Sequence, residues 1–133
     1  MPDAETKSLI LIADDRPSSR ELLRTVLERA GYSVIEAADG EEALERAQAA
    51  HPDLILLDLQ MPKLDGYGVL ERLRKDERFR ALPVLALTAS AMSGDREKIL
   101  AAGFTDYLSK PAGPDLLREA VARLLEKRTD SGA

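Results

Sequence analysis

Short apolar runs alternate with longer amphipathic stretches along the whole chain. Five runs have the length and composition of buried strands: SLILIA (8–13), SVIEA (33–37), LILL (54–57), PVLALT (83–88) and DYLS (106–109). Between and after them, apolar residues recur at helical spacing over about 17–30, 40–50, 66–75, 93–102 and 114–127. The pattern predicts a strand followed by a helix, repeated five times.

The first helix has the clearest apolar stripe. Its apolar residues fall on one side of a helix and predict one buried face: Leu22, Leu23, Val26, Leu27 and Ala30. Gly31 follows and supplies a C-terminal stop. The fourth and fifth helices carry shorter stripes that include Leu100 and Leu116. We expect these side chains to pack on the sheet.

The strands predict a parallel sheet. The first, third and fourth are apolar on both side-chain faces, as parallel strands covered by helices on each side must be. Right-handed crossovers then give an α/β, doubly wound, five-stranded parallel sheet, with strand order 2-1-3-4-5. A length of 133 residues suits one domain, expected over 7–127, with flexible tails at 1–6 and 128–133 because these have few apolar residues.

Composition and charge narrow the choice of partners. A net charge of −5 argues against direct nucleic-acid binding and against binding to anionic membranes. The absence of cysteine excludes disulfide and zinc-thiolate chemistry. No apolar stretch approaches the roughly 18 residues of a membrane span, and the polar start of the chain has no signal-peptide pattern. We therefore expect a cytoplasmic protein without a membrane partner.

The candidate chemistry lies at the ends of four strands. Asp14 and Asp15 follow the first strand, Asp58 follows the third, Thr88 ends the fourth and Lys110 follows the fifth. In the order 2-1-3-4-5, ligands bind beyond the carboxyl ends of strands one and three. Two carboxylates 4 Å apart repel by about 4 kcal/mol at an effective dielectric near 20, so this cluster requires cations. Oxygen ligands without His or Cys favour Mg²⁺, and a carboxylate there can be a nucleophile toward phosphorus.

Each of these residues also has an ordinary structural interpretation. Asp14 and Asp15 could satisfy the N-terminus of the helix that begins at Pro17. Asp58 could end a strand in a turn, Thr88 could cap a helix, and Lys110 could be a surface residue. Their expected position at one sheet edge favours the metal and phosphoryl interpretation.

Four motifs in this order resemble the receiver (CheY-like) domain of two-component response regulators: LIADD (11–15), LLDLQMPKLDG (56–66), LALTA (85–89) and YLSKP (107–111). The resemblance covers about 7–127 and implies a flavodoxin-like (βα)5 three-layer sandwich. The stretch 88–111 is further similar to receivers of hybrid histidine kinases and to single-domain regulators of the DivK type. Met1 favours a stand-alone protein.

The resemblance also implies residue roles. Asp58 is the phospho-acceptor, and Mg²⁺ is held by Asp14, Asp15, Asp58 and the backbone carbonyl of Gln60. Lys110 and Thr88 contact the phosphoryl group, and Tyr107 occupies an aromatic switch position. The resemblance places Gln60 and Ser90 where they influence the lifetime of the phosphorylated state, and it favours a cis bond between Lys110 and Pro111.

The implied partners are proteins. A histidine kinase or a histidine phosphotransfer protein would supply the phosphoryl group and meet residues 16–20. A downstream effector protein would bind the face of helix 4, strand 5 and helix 5, where Asp95, Arg96, Lys98 and Tyr107 are candidate contacts. The domain would be a signalling switch that catalyses only its own phosphorylation and slow dephosphorylation.

Two other functions remain open. A phosphatase or phosphotransferase with an aspartyl nucleophile usually has a second acid two residues later, where this chain has Gln60, which cannot transfer protons at neutral pH. A phosphate-independent interaction module would keep the fold without the chemistry. His51, which precedes Pro52, has a structural or solvent interpretation. Gly66-Tyr67-Gly68 lacks the third glycine of a dinucleotide fingerprint and predicts the start of a helix.

Overall fold

The sheet has the predicted strands and the predicted order. A computed structural model describes residues 8–61, 63–89, 93–110 and 113–132. Its parallel strands are β1 (Leu9–Ala13), β2 (Ser33–Ala37), β3 (Leu54–Asp58), β4 (Val84–Thr88) and β5 (Asp106–Ser109). They pair in the order β2-β1-β3-β4-β5, which confirms the doubly wound topology.

The helices agree with their predicted starts. They are α1 (Pro17–Arg29), α2 (Gly40–Ala50), α3 (Gly66–Lys75), α4 (Ser93–Ala101) and α5 (Pro114–Gly132). A 3-10 turn at Glu77–Phe79 was not predicted. Helix α5 continues beyond the expected end at 127. The domain bounds 7–127 and the flexible tail at 128–133 stay predictions, and the tail at 1–6 lies outside the described residues.

Alternation along the strands divides the core into two layers. Ile10 and Ile12 of β1 share one layer with Leu54 and Leu56 of β3 and with the buried sides of α1 and α5. The alternate residues, such as Leu11 and Ala13, face the buried residues of α2, α3 and α4. Successive side chains of a strand point to opposite faces of the sheet, so the two clusters show that helices cover both faces. The predicted three-layer sandwich is confirmed.

The buried stripes of the helices are narrower than predicted. Leu23, Val26 and Leu27 of α1 are buried, whereas Leu22 is 57% exposed. Ala30, also predicted to be buried, lies just after the end of α1 and is exposed. Leu100 and Leu116 are 43% and 60% exposed, so the prediction that these leucines pack on the sheet was wrong. A helix lying on a sheet buries only the residues that face it, and helical spacing does not give the width of that contact. Within the described residues, no helix is both long enough and apolar enough to span a membrane.

Candidate functional site

The strand register brings the predicted acids to one edge of the sheet. Ala13 pairs with Leu57, so Asp14 and Asp58, the next residues, lie side by side. Asp58 pairs with Leu87, which places Thr88 one residue beyond it on the neighbouring strand. The buried polar residues of the described chain are Asp14 at 0% exposure, Asp58 at 6% and Thr88 at 7%. All three lie at the carboxyl ends of strands.

Lys110 joins the two buried carboxylates. Its Nζ donates a 2.7 Å hydrogen bond to Asp14 Oδ2 and a 2.9 Å hydrogen bond to Asp58 Oδ2. The backbone of Lys110 is fixed as well, because its N–H donates to the carbonyl oxygen of Thr88 at 2.7 Å. The predicted convergence of these strand ends is therefore found, with one ammonium between two carboxylates.

Backbone N–H groups hold the second oxygen of each buried carboxylate. The N–H of Arg16 donates to Asp14 Oδ1 at 2.9 Å, and the N–H of Gln60 donates to Asp58 Oδ1 at 3.0 Å. Both bonds close a turn two residues after the acid, where Asp side chains commonly bond their own backbone. The turns after β1 and β3 thus orient the carboxylates.

The two carboxylates differ in their proton affinity. Burial alone would raise the pKa of Asp14, but hydrogen bonds from Lys110, the Arg16 N–H and Ser19 outweigh it, and the pKa lies below its usual range. Burial raises the pKa of Asp58, and the bonds from the Gln60 N–H and Lys110 only partly offset it. Burial would lower the pKa of Lys110, yet its two carboxylate partners raise it. The shared ammonium therefore leaves Asp58 incompletely neutralised.

The composition of the cluster fits a divalent cation. Asp14, Asp15 and Asp58 each offer one carboxylate oxygen within 4.8 Å of the others. Three carboxylates and the Lys110 ammonium carry a formal charge of −2, which one divalent ion would balance. All the donors are hard oxygens, the ligand type that Mg²⁺ prefers. The three acids predicted to bind the metal are brought together, and Asp15 is the exposed member.

A cavity gives access to Asp58. It has a volume of about 610 Å³, and its lining includes Asp15, Asp58, Gln60, Lys110 and Leu22. Although Asp58 is mostly buried, its carboxylate thus borders open space rather than packed core.

Other predicted site residues lie near this edge, and their roles stay predictions. Tyr107 of β5 is half-buried against the core layer of α2, α3 and α4, with the Arg96 guanidinium 5.9 Å from its ring centre. The hydroxyl role of Thr88 and the carbonyl role of Gln60 stay predictions. Ser90 and Pro111, and with Pro111 the predicted cis bond, lie outside the described residues.

Two sequence features have the predicted structural roles. His51 ends α2 with a left-handed backbone and stacks on the Phe79 ring at 5.8 Å. Helix α3 begins at Gly66, with Asp65 accepting a hydrogen bond from the N–H of Gly68 at 2.9 Å. A Cβ at Gly66 would lie 2.7 Å from the carbonyl oxygen of Asp58, so glycine lets the chain pass close to the site.

One contact was missed by the sequence analysis, which grouped Arg20 with residues that meet a phosphodonor. The Arg20 side chain is only 16% exposed, and its Nη1 donates to the backbone carbonyl oxygen of Asp14 at 2.6 Å. Its Nε donates to Glu36 Oε1 at 3.0 Å. The available signal was Glu36, a charged residue in the otherwise uncharged strand SVIEA.

Comparisons with known proteins agree with this geometry. The sequence profile of the response regulator receiver domain matches residues 10–122. A protein named probable transcriptional regulator ycf27 from Guillardia theta is 45% identical over 131 residues, which cover 98% of this chain and 50% of that protein. The polar-differentiation response regulator DivK of Brucella abortus is 44% identical over 106 residues, 80% of this chain and 85% of DivK. The chain spans about half the length of the ycf27 relatives.

Solved structures show the same architecture. Chemotaxis protein CheY4 of Vibrio cholerae has a TM-score of 0.85 and 34% identity, covering 90% of this chain and 99% of that one. A receiver domain of a Pseudomonas aeruginosa sensor histidine kinase has a TM-score of 0.84 and 37% identity, covering 91% of this chain and 99% of that one. That structure has a magnesium ion coordinated in its active-site cleft.

Proposed function

This chain belongs to the response regulator receiver domain family of two-component systems, and we propose that it is a switch controlled by phosphorylation of Asp58. The family consists of signalling switches rather than classical enzymes. One observation carries the proposal: Lys110 bridges the buried carboxylates of Asp14 and Asp58, and Asp58 borders an open cavity. Burying a cluster with excess negative charge costs free energy unless the cluster binds a cation.

Magnesium is the proposed cofactor. Asp14, Asp15 and Asp58 would hold it, together with the backbone carbonyl of Gln60. When bound, Mg²⁺ neutralises phosphoryl oxygens and orients them for in-line transfer. The magnesium reported in the Pseudomonas aeruginosa relative supports this assignment.

The proposed reaction is transfer from a phosphohistidine. A carboxylate oxygen of Asp58 attacks phosphorus, a P–O bond forms, and the P–N bond breaks with its electron pair remaining on the imidazole. Lys110 is already 2.9 Å from Asp58 and would neutralise charge on the transferred group. Apart from the nucleophilic oxygen of Asp58, the protein contributes position and charge to the transfer.

The proposed donor is a histidine kinase or a histidine phosphotransfer protein. It would approach over the start of α1, where the exposed Leu22 lines the cavity beside Asp58. An exposed leucine next to a reactive carboxylate provides an apolar contact for a partner helix. Residues 16–19 complete this contact area, whereas Arg20 is largely buried.

The proposed output is a change on the face of α4, β5 and α5. The Thr88 hydroxyl would turn toward the phosphoryl oxygens, and Tyr107 would enter the space that it leaves. Tyr107 is half-buried, and its ring packs against the core layer of α2, α3 and α4. Asp95, Arg96 and Lys98 are proposed contacts for a downstream effector protein, and Gln60 and Ser90 are proposed to set the phosphoryl lifetime.

Labelling with a small phosphodonor tests this function. We expect wild type to gain one phosphoryl group in Mg²⁺ and none in EDTA, and Asp58→Asn to gain none. Asp115→Asn removes a carboxylate whose side chain is 92% exposed and should label like wild type. Label uptake by Asp58→Asn would end the proposal. Multiple turnover on organic phosphates would instead favour the phosphatase alternative.

A further inference from the structure

A chain of charged groups connects α1 and β2 to the acidic turn. Arg20 binds the Asp14 carbonyl oxygen at 2.6 Å and Glu36 at 3.0 Å. The other oxygen of Glu36 accepts from Arg24 Nη1 at 2.6 Å, and Arg24 Nε donates to Glu28 at 3.1 Å. Arg20 is the inner member, with 16% of its side chain exposed against 46% for Arg24.

The acceptor of Arg20 is the peptide group between two proposed metal ligands. The carbonyl oxygen of Asp14 and the N–H of Asp15 belong to one planar unit, so a bond to that oxygen fixes the direction in which the chain enters Asp15. The Asp14 and Asp58 carboxylates are each held by a backbone N–H and by Lys110. The Asp15 carboxylate is exposed, and its position depends on this backbone.

We propose that Arg20 is a positioning residue for the divalent-cation site and acts by orienting the peptide group that places Asp15. This inference rests on the proposed magnesium site. Glu36 holds the guanidinium in the required plane, because Arg20 uses two nitrogens of its rigid fork for two acceptors at once. Arg20 reaches the metal ligands without touching a carboxylate of the cluster.

The direction in which Mg²⁺ affinity changes when Arg20 is replaced distinguishes a positioning role from a purely electrostatic one. Loss of a cation near three carboxylates should strengthen Mg²⁺ binding if Arg20 acts only through its charge. Loss of a positioning contact should weaken it, since residues that orient metal ligands typically contribute 10–100-fold to affinity. The two explanations therefore predict opposite results for the same variant.

Arg24 provides the matched control. It lies one helical turn after Arg20, binds the same Glu36 carboxylate, and has no contact with Asp14. Arg24→Gln removes the same charge and an ion pair to the same partner. Any effect that arises from charge or from the stability of α1 should therefore appear in both variants.

Isothermal titration of the full chain with Mg²⁺ tests the inference. We expect Arg20→Gln to weaken binding about tenfold, whereas Arg24→Gln should stay within about twofold of wild type. Arg20→Lys keeps the charge but lacks the fork, and we expect about threefold weaker binding. If Arg20→Gln does not fold, the comparison of Arg20→Lys with wild type tests the inference instead. In an Asp15→Asn background, Arg20→Gln should cause no further loss, because both changes act on the same ligand.

The outcomes distinguish this inference from the proposed function. Absence of Mg²⁺ binding by wild type would contradict the proposed function itself. If wild type binds, equal or tighter binding by the folded Arg20 variants would overturn only the positioning role. An equal loss in Arg24→Gln, or full additivity with Asp15→Asn, would overturn it as well.

Discussion

Asp58→Asn should stabilise the metal-free protein, although it removes the proposed phospho-acceptor. The substitution keeps an oxygen that can accept the 3.0 Å hydrogen bond from the Gln60 N–H. It removes a negative charge from a side chain that belongs to a residue only 6% exposed.

The attraction between Lys110 and Asp58 does not outweigh the repulsion from the neighbouring carboxylates and the cost of burying the Asp58 charge. At an effective dielectric near 20, the 2.9 Å pair with Lys110 attracts by about 6 kcal/mol. Asp14, within 4.8 Å, repels by about 3.5 kcal/mol, and the exposed Asp15 adds a smaller, screened repulsion. Less than about 2 kcal/mol of net attraction remains, against a burial cost of several kcal/mol per ion. We therefore expect Asp58→Asn to raise the free energy of unfolding by about 1–2 kcal/mol.

The gain should depend on pH and on magnesium. Burial raises the pKa of Asp58, so the folded state binds its proton more tightly than the unfolded state does. Wild type therefore loses stability as pH rises from 3.8 through the raised folded-state pKa of Asp58, and the gap between wild type and variant opens over that range. Below 3.8 the gap should vanish, since Asp58 is then protonated in both states. Saturating Mg²⁺ should narrow it by stabilising wild type.

Urea unfolding followed by far-ultraviolet circular dichroism measures this gap, in EDTA at several pH values and again in Mg²⁺. Asp39→Asn is the matched control, because the hydrogen bond from the Glu42 N–H lowers the pKa of Asp39 and its carboxylate stabilises the folded state. That variant should not gain stability. A destabilised Asp58→Asn protein in EDTA, or a gain that persists below pH 3.8, would refute the reasoning.

Three further predictions concern close packing and backbone contacts in the fold. Gly66→Ala places a Cβ 2.7 Å from a β3 carbonyl oxygen and should destabilise by about 1–3 kcal/mol, whereas Gly113→Ala meets nothing within 4 Å; equal unfolding midpoints would contradict this. Leu22→Gln should change stability by less than about 0.5 kcal/mol, against about 2–5 kcal/mol for Leu27→Ala; a large loss in the former would show that Leu22 is packed. Arg74→Gln removes hydrogen bonds of 2.7, 2.7 and 3.0 Å to three backbone carbonyl oxygens. It should lower the free energy of unfolding, measured in urea, by about 2–3 kcal/mol. An unchanged unfolding midpoint would mean that water replaces these bonds.

The fold was predictable from the sequence because its short apolar runs and the helical spacing between them were both clear. Runs such as LILL (54–57) are buried on both faces and fit only a covered parallel strand. Once the strands are parallel and ordered, the ends of β1 and β3 are neighbours, so the proximity of Asp14 and Asp58 follows from register alone. The strand order also places Lys110 at this edge, but β5 lies two strands from β3, so the bonds of Lys110 depend on the reach of its side chain.

Other features of the site depend on three-dimensional packing and could not be predicted from the sequence. The spacing of Leu22 fits the apolar stripe of α1, but only the three-dimensional packing shows that the sheet does not reach it. The bond from Arg20 to the Asp14 carbonyl depends on the reach of a long side chain and on Glu36 of a neighbouring strand. The charged Glu36 in β2 indicates that a partner exists, but no local pattern identifies that partner, because the contact joins three separate segments.

A nuclear magnetic resonance titration with Mg²⁺ tests the central claim most directly. If Asp14, Asp15 and Asp58 form one cation pocket, their amide signals and that of Gln60 should shift together with one dissociation constant, while His51, outside the cluster, should not move. Signals that shift independently, or that remain unchanged at millimolar Mg²⁺ in a folded protein, would contradict the account.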